Sequence, residues 1–252
     1  ILKIKTFSNF YELKKTKFFL VINSTPANKR YFILNKIKEL KPKHVLVEKL
    51  LENNVKNLNL MKKKKYKSFY INFPYRMTNV FDILKKKLNF QEIKLIKVNA
   101  INWNLSSNSI HYIDLFSQIM KKNPITIYSE NLKQFNSKRE GYIEFSGKII
   151  ANFNSLHLKI NNMIKIKKKT IVKLEIYLKD KKKITYTIGE KKIKIGKKNY
   201  NTKFDYQSEL TKKFLKKLII KKKIELPKLK EHIDLNIMYL NCFRKKEKIM
   251  VT

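Results

Sequence analysis

Between residues 17 and 73, short continuous apolar runs alternate with amphipathic stretches. The runs are Phe18-Phe19-Leu20-Val21-Ile22, Val45-Leu46-Val47 and Phe69-Tyr70-Ile71. The stretches between them place Ile33, Ile37 and Leu40 on one helical face and Leu51, Val55 and Leu58 on another. Parallel strands buried on both faces read as such runs, and their alternation with helices predicts βαβαβ. That order argues a doubly wound sheet, whose ligands sit at the carboxyl ends of the strands. Asn23-Ser24-Thr25-Pro26 and Glu48-Lys49 occupy two of those ends.

Beyond residue 75 the period changes. Val80, Phe81, Leu84 and Leu88 predict a helix, residues 93 to 98 an extended piece, and residues 109 to 120 a second helix. Period-two alternation then runs through Leu156, Leu158 and Ile160, through Ile164 and Ile166, through Val172, Leu174, Ile176 and Leu178, through Ile184, Tyr186 and Ile188, and through Ile193 and Ile195. Polar turns at Asn161-Asn162, residues 179 to 183 and Gly189-Glu190 separate these segments, which predicts antiparallel hairpins with one solvated face. Leu210, Phe214, Leu218 and Ile219 mark a helix that Ser208 could cap. Pro227 breaks it, and a last helix covers roughly residues 230 to 242. The fold class is therefore α/β: a partial doubly wound parallel sheet over residues 1–75, then an α+β domain over residues 76–252 with a large, mostly antiparallel open sheet.

Charge changes this picture less than its size suggests. The formal net charge is +40, yet of 59 basic residues only Arg30, Arg76, Arg139 and Arg244 are arginines. Base-edge and bidentate phosphate recognition favour the planar guanidinium. Scarce Gly, Pro and Ala beside abundant Lys, Asn and Ile point to an AT-rich genome, and the Lys runs spread over helix ends and turns as solvated surface does. No specific nucleic-acid partner is expected. A single cysteine, Cys242, excludes an internal disulfide and a thiol metal cluster, so the cytoplasm is the expected compartment. No apolar run approaches the ~20 residues of a spanning helix, and no membrane partner is expected.

Candidate chemistry lies at two places. Lys49 follows a parallel strand directly, where partial burial can tune its pKa and its charge can hold a substrate hydroxyl. His111 and Asp114 lie one helical turn apart at the start of a helix, and an imidazole with a carboxylate nearby can act as a general base. His44, His157 and His232 lack such a setting and read as structural. No residue set has metal spacing, and the glycines, at 141, 147, 189 and 196, form no phosphate loop.

Four motifs in order carry a resemblance: Ser24-Thr25-Pro26, His44-Val45-Leu46-Val47-Glu48-Lys49, Tyr70-Ile71-Asn72-Phe73-Pro74-Tyr75-Arg76-Met77, and Asn108-Ser109-Ile110-His111-Tyr112-Ile113-Asp114-Leu115. Together they resemble the glucose-fructose oxidoreductase and inositol dehydrogenase family, often written Gfo/Idh/MocA. Tyr206-Gln207-Ser208-Glu209-Leu210-Thr211 and Leu226-Pro227 are similar to that family's closing helices. The resemblance implies an oxidoreductase using NAD or NADP on a sugar, cyclitol or sugar nucleotide, and a homo-oligomer formed through the open sheet. By position it makes Lys49 and His111 catalytic, and Ser24, Thr25, Pro26, Glu48 and Lys49 cofactor-binding. Asn72, Arg76, Asn108 and Asp114 would bind substrate. The segment after Trp103 looks most like members associated with bacterial surface-polysaccharide sugars.

The sequence departs from the family in three details: Leu50 follows the lysine where the family has Pro, Ser107 stands where some members carry Asp, and Arg30 stands where a histidine often follows Thr-Pro. The family's first strand, glycine-rich turn and helix have no counterpart. The chain is therefore expected to be an amino-terminally truncated member, inactive by itself. The alternatives are a degenerate, non-catalytic binding or oligomerisation module of the same fold and a basic nucleic-acid-binding protein.

Overall fold

In the computed structural model, residues 5–137, 140–165 and 168–243 are described. Three strands, β1 (Leu20–Asn23), β2 (His44–Glu48) and β3 (Phe69–Asn72), form a parallel sheet in the order β1-β2-β3. Helix α1 (Ala27–Glu39) joins the first two strands and α2 (Val55–Lys62) the last two. Strands added in sequence with right-handed crossovers put their helices on one side. Leu34 and Ile37 of α1 and Leu58 of α2 accordingly share a core with Val45 and Val47. The opposite face of β2 shows Leu46, which packs with Leu210, Phe214 and Leu218 of α5 (Gln207–Ile219). Helices cover both faces as expected, but the second cover comes from far along the chain.

A 3-10 turn at Pro74–Met77 and helix α3 (Asn79–Lys87) lead into β4 (Ile93–Ile101) and α4 (Leu105–Met120). Strands β5 (Thr126–Asn136), β6 (Ile143–Asn152), β7 (His157–Met163), β8 (Ile171–Leu178) and β9 (Lys183–Thr187) complete a six-stranded sheet with β4, ordered β5-β6-β7-β4-β8-β9. Only the β4–β7 pair is parallel. Ile96, Ala151, Leu158 and Ile176 are buried on the face that α4 covers. The other face stays open, with Tyr128, Met163 and Ile171 exposed. A hairpin of β10 (Lys192–Ile195) and β11 (Lys198–Asn201) stands apart from this sheet. After α5, helix α6 (Leu229–Asn241) returns to the parallel sheet, where a bridge pairs Tyr70 with Lys228. Helices α5 and α6, which follow the mixed sheet in the chain, thus pack on the parallel sheet.

Several local expectations need correction. Asn161 and Asn162 lie inside β7 instead of in a turn: Asn161 donates to the Asn99 side chain at 2.8 Å, and Asn162 Oδ1 accepts from the Trp103 amide at 3.1 Å. Polar side chains that find internal partners can occupy strand positions. Ile166 lies outside the described residues. Strands β5 and β6 have no counterpart in the sequence reading, because polar residues interrupt their alternation. Ser208 sits within α5, and the Glu209 carboxylate accepts from the Tyr206 amide at 3.3 Å at that helix's start.

Candidate functional site

The site forms where the carboxyl end of β2 meets the first turns of α4. Lys49 leaves β2 half-buried, and its Nζ donates to the Ser107 carbonyl and, at 3.4 Å, to Asn108 Oδ1. The Lys49–Leu50 peptide is cis. Burial lowers the Lys49 pKa to about 8, with Arg30 pushing the same way, while Glu48 and Glu144 oppose the shift.

One helical turn after Asn108 lies His111. Its ring stacks on Tyr75 with centroids 4.8 Å apart and meets Phe73 edge to face at 5.5 Å. Its Nδ1 is buried without a hydrogen-bond partner. Burial first, and then Lys49, hold its pKa well below the usual histidine value, so the imidazole is neutral.

Asp114 is not the partner of His111. Its carboxylate is fully buried and accepts from Arg76 Nε at 2.8 Å, from Arg76 Nη2 at 2.5 Å and from His232 Nε2 at 2.6 Å. Asn236 Nδ2 lies 3.0 Å from His232 Nδ1. An amide nitrogen can only donate, so Nδ1 accepts and Nε2 carries the proton toward Asp114. Asn236 Oδ1 accepts in turn from the Leu51 amide at 3.3 Å, two residues past Lys49. His232, expected to be structural, is therefore the histidine paired with the helix carboxylate.

Glu144 on β6 was not anticipated. It is fully buried, and it accepts from the Ser106 amide at 3.1 Å, the Ser106 hydroxyl at 2.6 Å and the Ser107 hydroxyl. A carboxylate among these donors caps the amino terminus of α4, where the helix dipole favours negative charge. Burial raises its pKa, and the Ser106 bonds and Lys49 counter that. The site thus has a carboxylate near Lys49, supplied from another strand and not from position 107. The only sequence signal was a lone Glu in an irregular alternation.

The remaining residues fall around this centre. Glu48 accepts from Asn72 Nδ2 at 2.5 Å across neighbouring strands. Asn23 ends β1 with its Oδ1 accepting from the Thr25 amide and hydroxyl at 3.2 and 2.7 Å, while its buried Nδ2 has no partner. Ser24 is exposed beside them and Pro26 precedes α1. The structure brings Lys49, Asn108 and His111 together. It commits three residues expected to touch substrate to internal bonds: Asn72 to Glu48, Arg76 to Asp114 and the Glu225 carbonyl, and Asp114 to His232 as well.

Neither a protein-family model nor a curated protein matches this sequence. Solved structures do. A dehydrogenase from Clostridium difficile is 15% identical with a TM-score of 0.66, covering 96% of this chain and 83% of its own. A biliverdin reductase from Synechocystis, solved with biliverdin and NADP+, is 10% identical with a TM-score of 0.67, covering 93% and 80%. A scyllo-inositol dehydrogenase from Lactobacillus casei is 13% identical with a TM-score of 0.61, covering 92% and 77%. At such identities the likeness is one of fold, and the chain has the two-sheet fold of the Gfo/Idh/MocA-type dehydrogenases.

Proposed function

We propose that the chain is an oxidoreductase of this fold that works on a CH–OH carbon of a sugar, cyclitol or sugar nucleotide with NAD or NADP. The observation that carries this reading is Lys49 anchored on α4 one turn ahead of His111, whose Nδ1 has no partner. An ammonium has three N–H donors. Two of Lys49's are taken by Ser107 and Asn108, which leaves one for a substrate oxygen. Polarised by that bond, the hydroxyl would give its proton to the neutral His111, a base kept uncharged by burial.

The residues present fit the nicotinamide end of the cofactor. Asn23 Nδ2 is an unused buried donor at the end of β1, and Ser24, Thr25, Pro26 and Glu48 border the same sheet ends. When bound, the dinucleotide supplies or takes the hydride. The described residues offer no glycine-rich turn at the ends of the parallel strands, and such backbone N–H groups normally hold the pyrophosphate. We therefore expect this chain to bind either cofactor weakly or not at all and to be inactive by itself, with activity requiring a strand, glycine-rich turn and helix that supply those groups. The open sheet face, with Tyr128, Met163 and Ile171 exposed, is the surface we assign to contact between copies. A single cysteine suits a reducing cytoplasm. The link to surface-polysaccharide sugars rests on the motif resemblance alone.

The test is hydride transfer between each nicotinamide cofactor and a panel of cyclitols and sugar nucleotides, by the chain alone and by the chain joined to a strand, glycine-rich turn and helix of this fold; turnover is expected in the joined form only. Turnover that disappears in Lys49→Ala is expected. Turnover indifferent to that change, or none in the joined form, overturns the reading.

A further inference from the structure

The mixed sheet ends in an open edge. Strand β9 is its last strand, and among the described residues no strand pairs with the outer side of β9. Two hydrogen bonds fix the backbone phase: the Leu178 amide donates to the Lys182 carbonyl and the Ile188 amide to the Val172 carbonyl, each at 2.9 Å. Opposed residues of an antiparallel pair alternate between bonded and non-bonded. In the β8–β9 register, Ile176 with Ile184 and Leu174 with Tyr186 are therefore bonded, and the N–H and C=O groups of Lys183 and Thr185 point away from β8. Thr187, next in phase, donates its amide to the Glu190 carboxylate at 3.1 Å. That turn covers Thr187 and leaves Lys183 and Thr185 facing outward.

This edge opens on a groove of about 1080 Å3. Lys183, Ile184 and Thr185 form one wall, and residues 194 to 197 at the tip of the β10–β11 hairpin form another. Leu178, Ile195 and Tyr200 give the groove apolar surface. Its charge is one-sided, with Lys87, Lys182, Lys183, Lys194 and Lys197 along it. The carboxylates there are those of Glu92 and Asp180, and Asp180 is held by Lys182 at 2.5 Å. Outward backbone groups and positive charge together select the occupant. A free strand edge takes another strand. A second β9 related by a two-fold would bring the groove lysines against the same lysines of its partner, which like charge opposes. A nucleic acid would meet the lysines, but its phosphodiester backbone has no N–H for the outward carbonyls.

We propose that the β9 edge and its groove are a docking site for an extended acidic peptide, which adds to the mixed sheet as a further strand. Its backbone pairs with Lys183 and Thr185. Its side chains point alternately to the two faces of the sheet, so apolar residues meet the floor beside Ile184 while acidic ones meet the lysines. The five residues of β9 match about 17 Å of such a strand. None of these residues belongs to the Lys49 and His111 site, and the proposal is independent of the oxidoreductase reading.

The test follows the anisotropy of a fluorescein-labelled Glu-Val-Glu-Val-Glu peptide as the whole chain is added. Saturable binding is expected, weakened about tenfold in Thr185→Pro, which removes one outward N–H and no bond to β8. Proline is tolerated at such a position on an edge strand, and circular dichroism checks that the variant remains folded. A double change at exposed positions, Lys194→Glu with Lys197→Glu, should also weaken binding about tenfold. The same charge change on α5, Lys212→Glu with Lys216→Glu, should leave it unchanged. A fully N-methylated peptide keeps the charge, loses its N–H donors and should not bind. No saturable binding, equal binding of the N-methylated peptide, or affinity unchanged in Thr185→Pro overturns the proposal. Tighter binding of a short oligothymidylate that depends on Lys194 and Lys197 would assign the groove to nucleic acid, and self-association abolished by Thr185→Pro would assign it to a second copy; either overturns it too.

Discussion

The Asp114 carboxylate accepts a hydrogen bond from His232 Nε2 at 2.6 Å, although His111 is only three residues away on the same helix. Arg76 closes on the same carboxylate through two nitrogens. The result is a buried bridge that ties α4 and the turn after β3 to α6. Through Asn236 and the Leu51 amide it continues to the segment that carries Lys49. His111 is left with aromatic neighbours and a free Nδ1, which is the state a proton acceptor needs.

Removing one member of that bridge should cost stability. Asp114→Ala leaves the Arg76 guanidinium, 11% exposed, without its carboxylate. Losing one partner of a buried pair typically costs about 3–5 kcal/mol. Urea unfolding should show a loss on that scale, and a loss under about 1 kcal/mol would mean the bridge is marginal.

His111 and Lys49 should behave differently. His111→Ala and Lys49→Ala are each expected to cut turnover roughly 10²-fold or more, as loss of an acid–base group does. His157, exposed on the open sheet face with Nδ1 at 2.8 Å from Asn152 Oδ1, should tolerate alanine with turnover unchanged. Steady-state rates of the chain joined to a strand, glycine-rich turn and helix of this fold decide this, and equal losses at His157 and His111 would remove His111 from the mechanism.

The pH profile follows from Lys49. Its ammonium is the form that polarises a hydroxyl, so kcat/KM should fall as pH rises through about 8. His111 works uncharged, and its lowered pKa puts the acid limb below the ordinary histidine range. Glu144 favours the Lys49 charge. Glu144→Gln should therefore move the alkaline limb to lower pH. An alkaline limb that stays in place or moves up would separate Glu144 from Lys49 electrostatically.

The large positive charge should act only as diffuse surface charge. Binding to DNA is expected to be indifferent to sequence and to vanish by about 0.2 M salt. Filter binding with two unrelated duplexes at rising salt checks this, and a sequence-selective complex that survives would restore a nucleic-acid role.

The parallel sheet was legible because Val45, Leu46 and Val47 must be apolar on both faces, and that demand writes itself as a continuous run. Helix α4 was legible over residues 109 to 120, although it begins at Leu105 and so carries His111 in its second turn, and Lys49 stands just past a strand end as its apolar run predicted. Strands β5 and β6 were not, since edge-side alternation broken by Ser129, Glu130 and Ser146 carries no clean period. Asn161 and Asn162 misled for a related reason: composition reads them as a turn, while Asn99 and the Trp103 amide satisfy them inside a strand. What the tertiary structure alone decided are the pairings across long separations, Glu144 with Ser106 and His232 with Asp114. A carboxylate's partner is whichever donor the packed helices and strands deliver to it, and spacing along one helix specifies only its nearest neighbours.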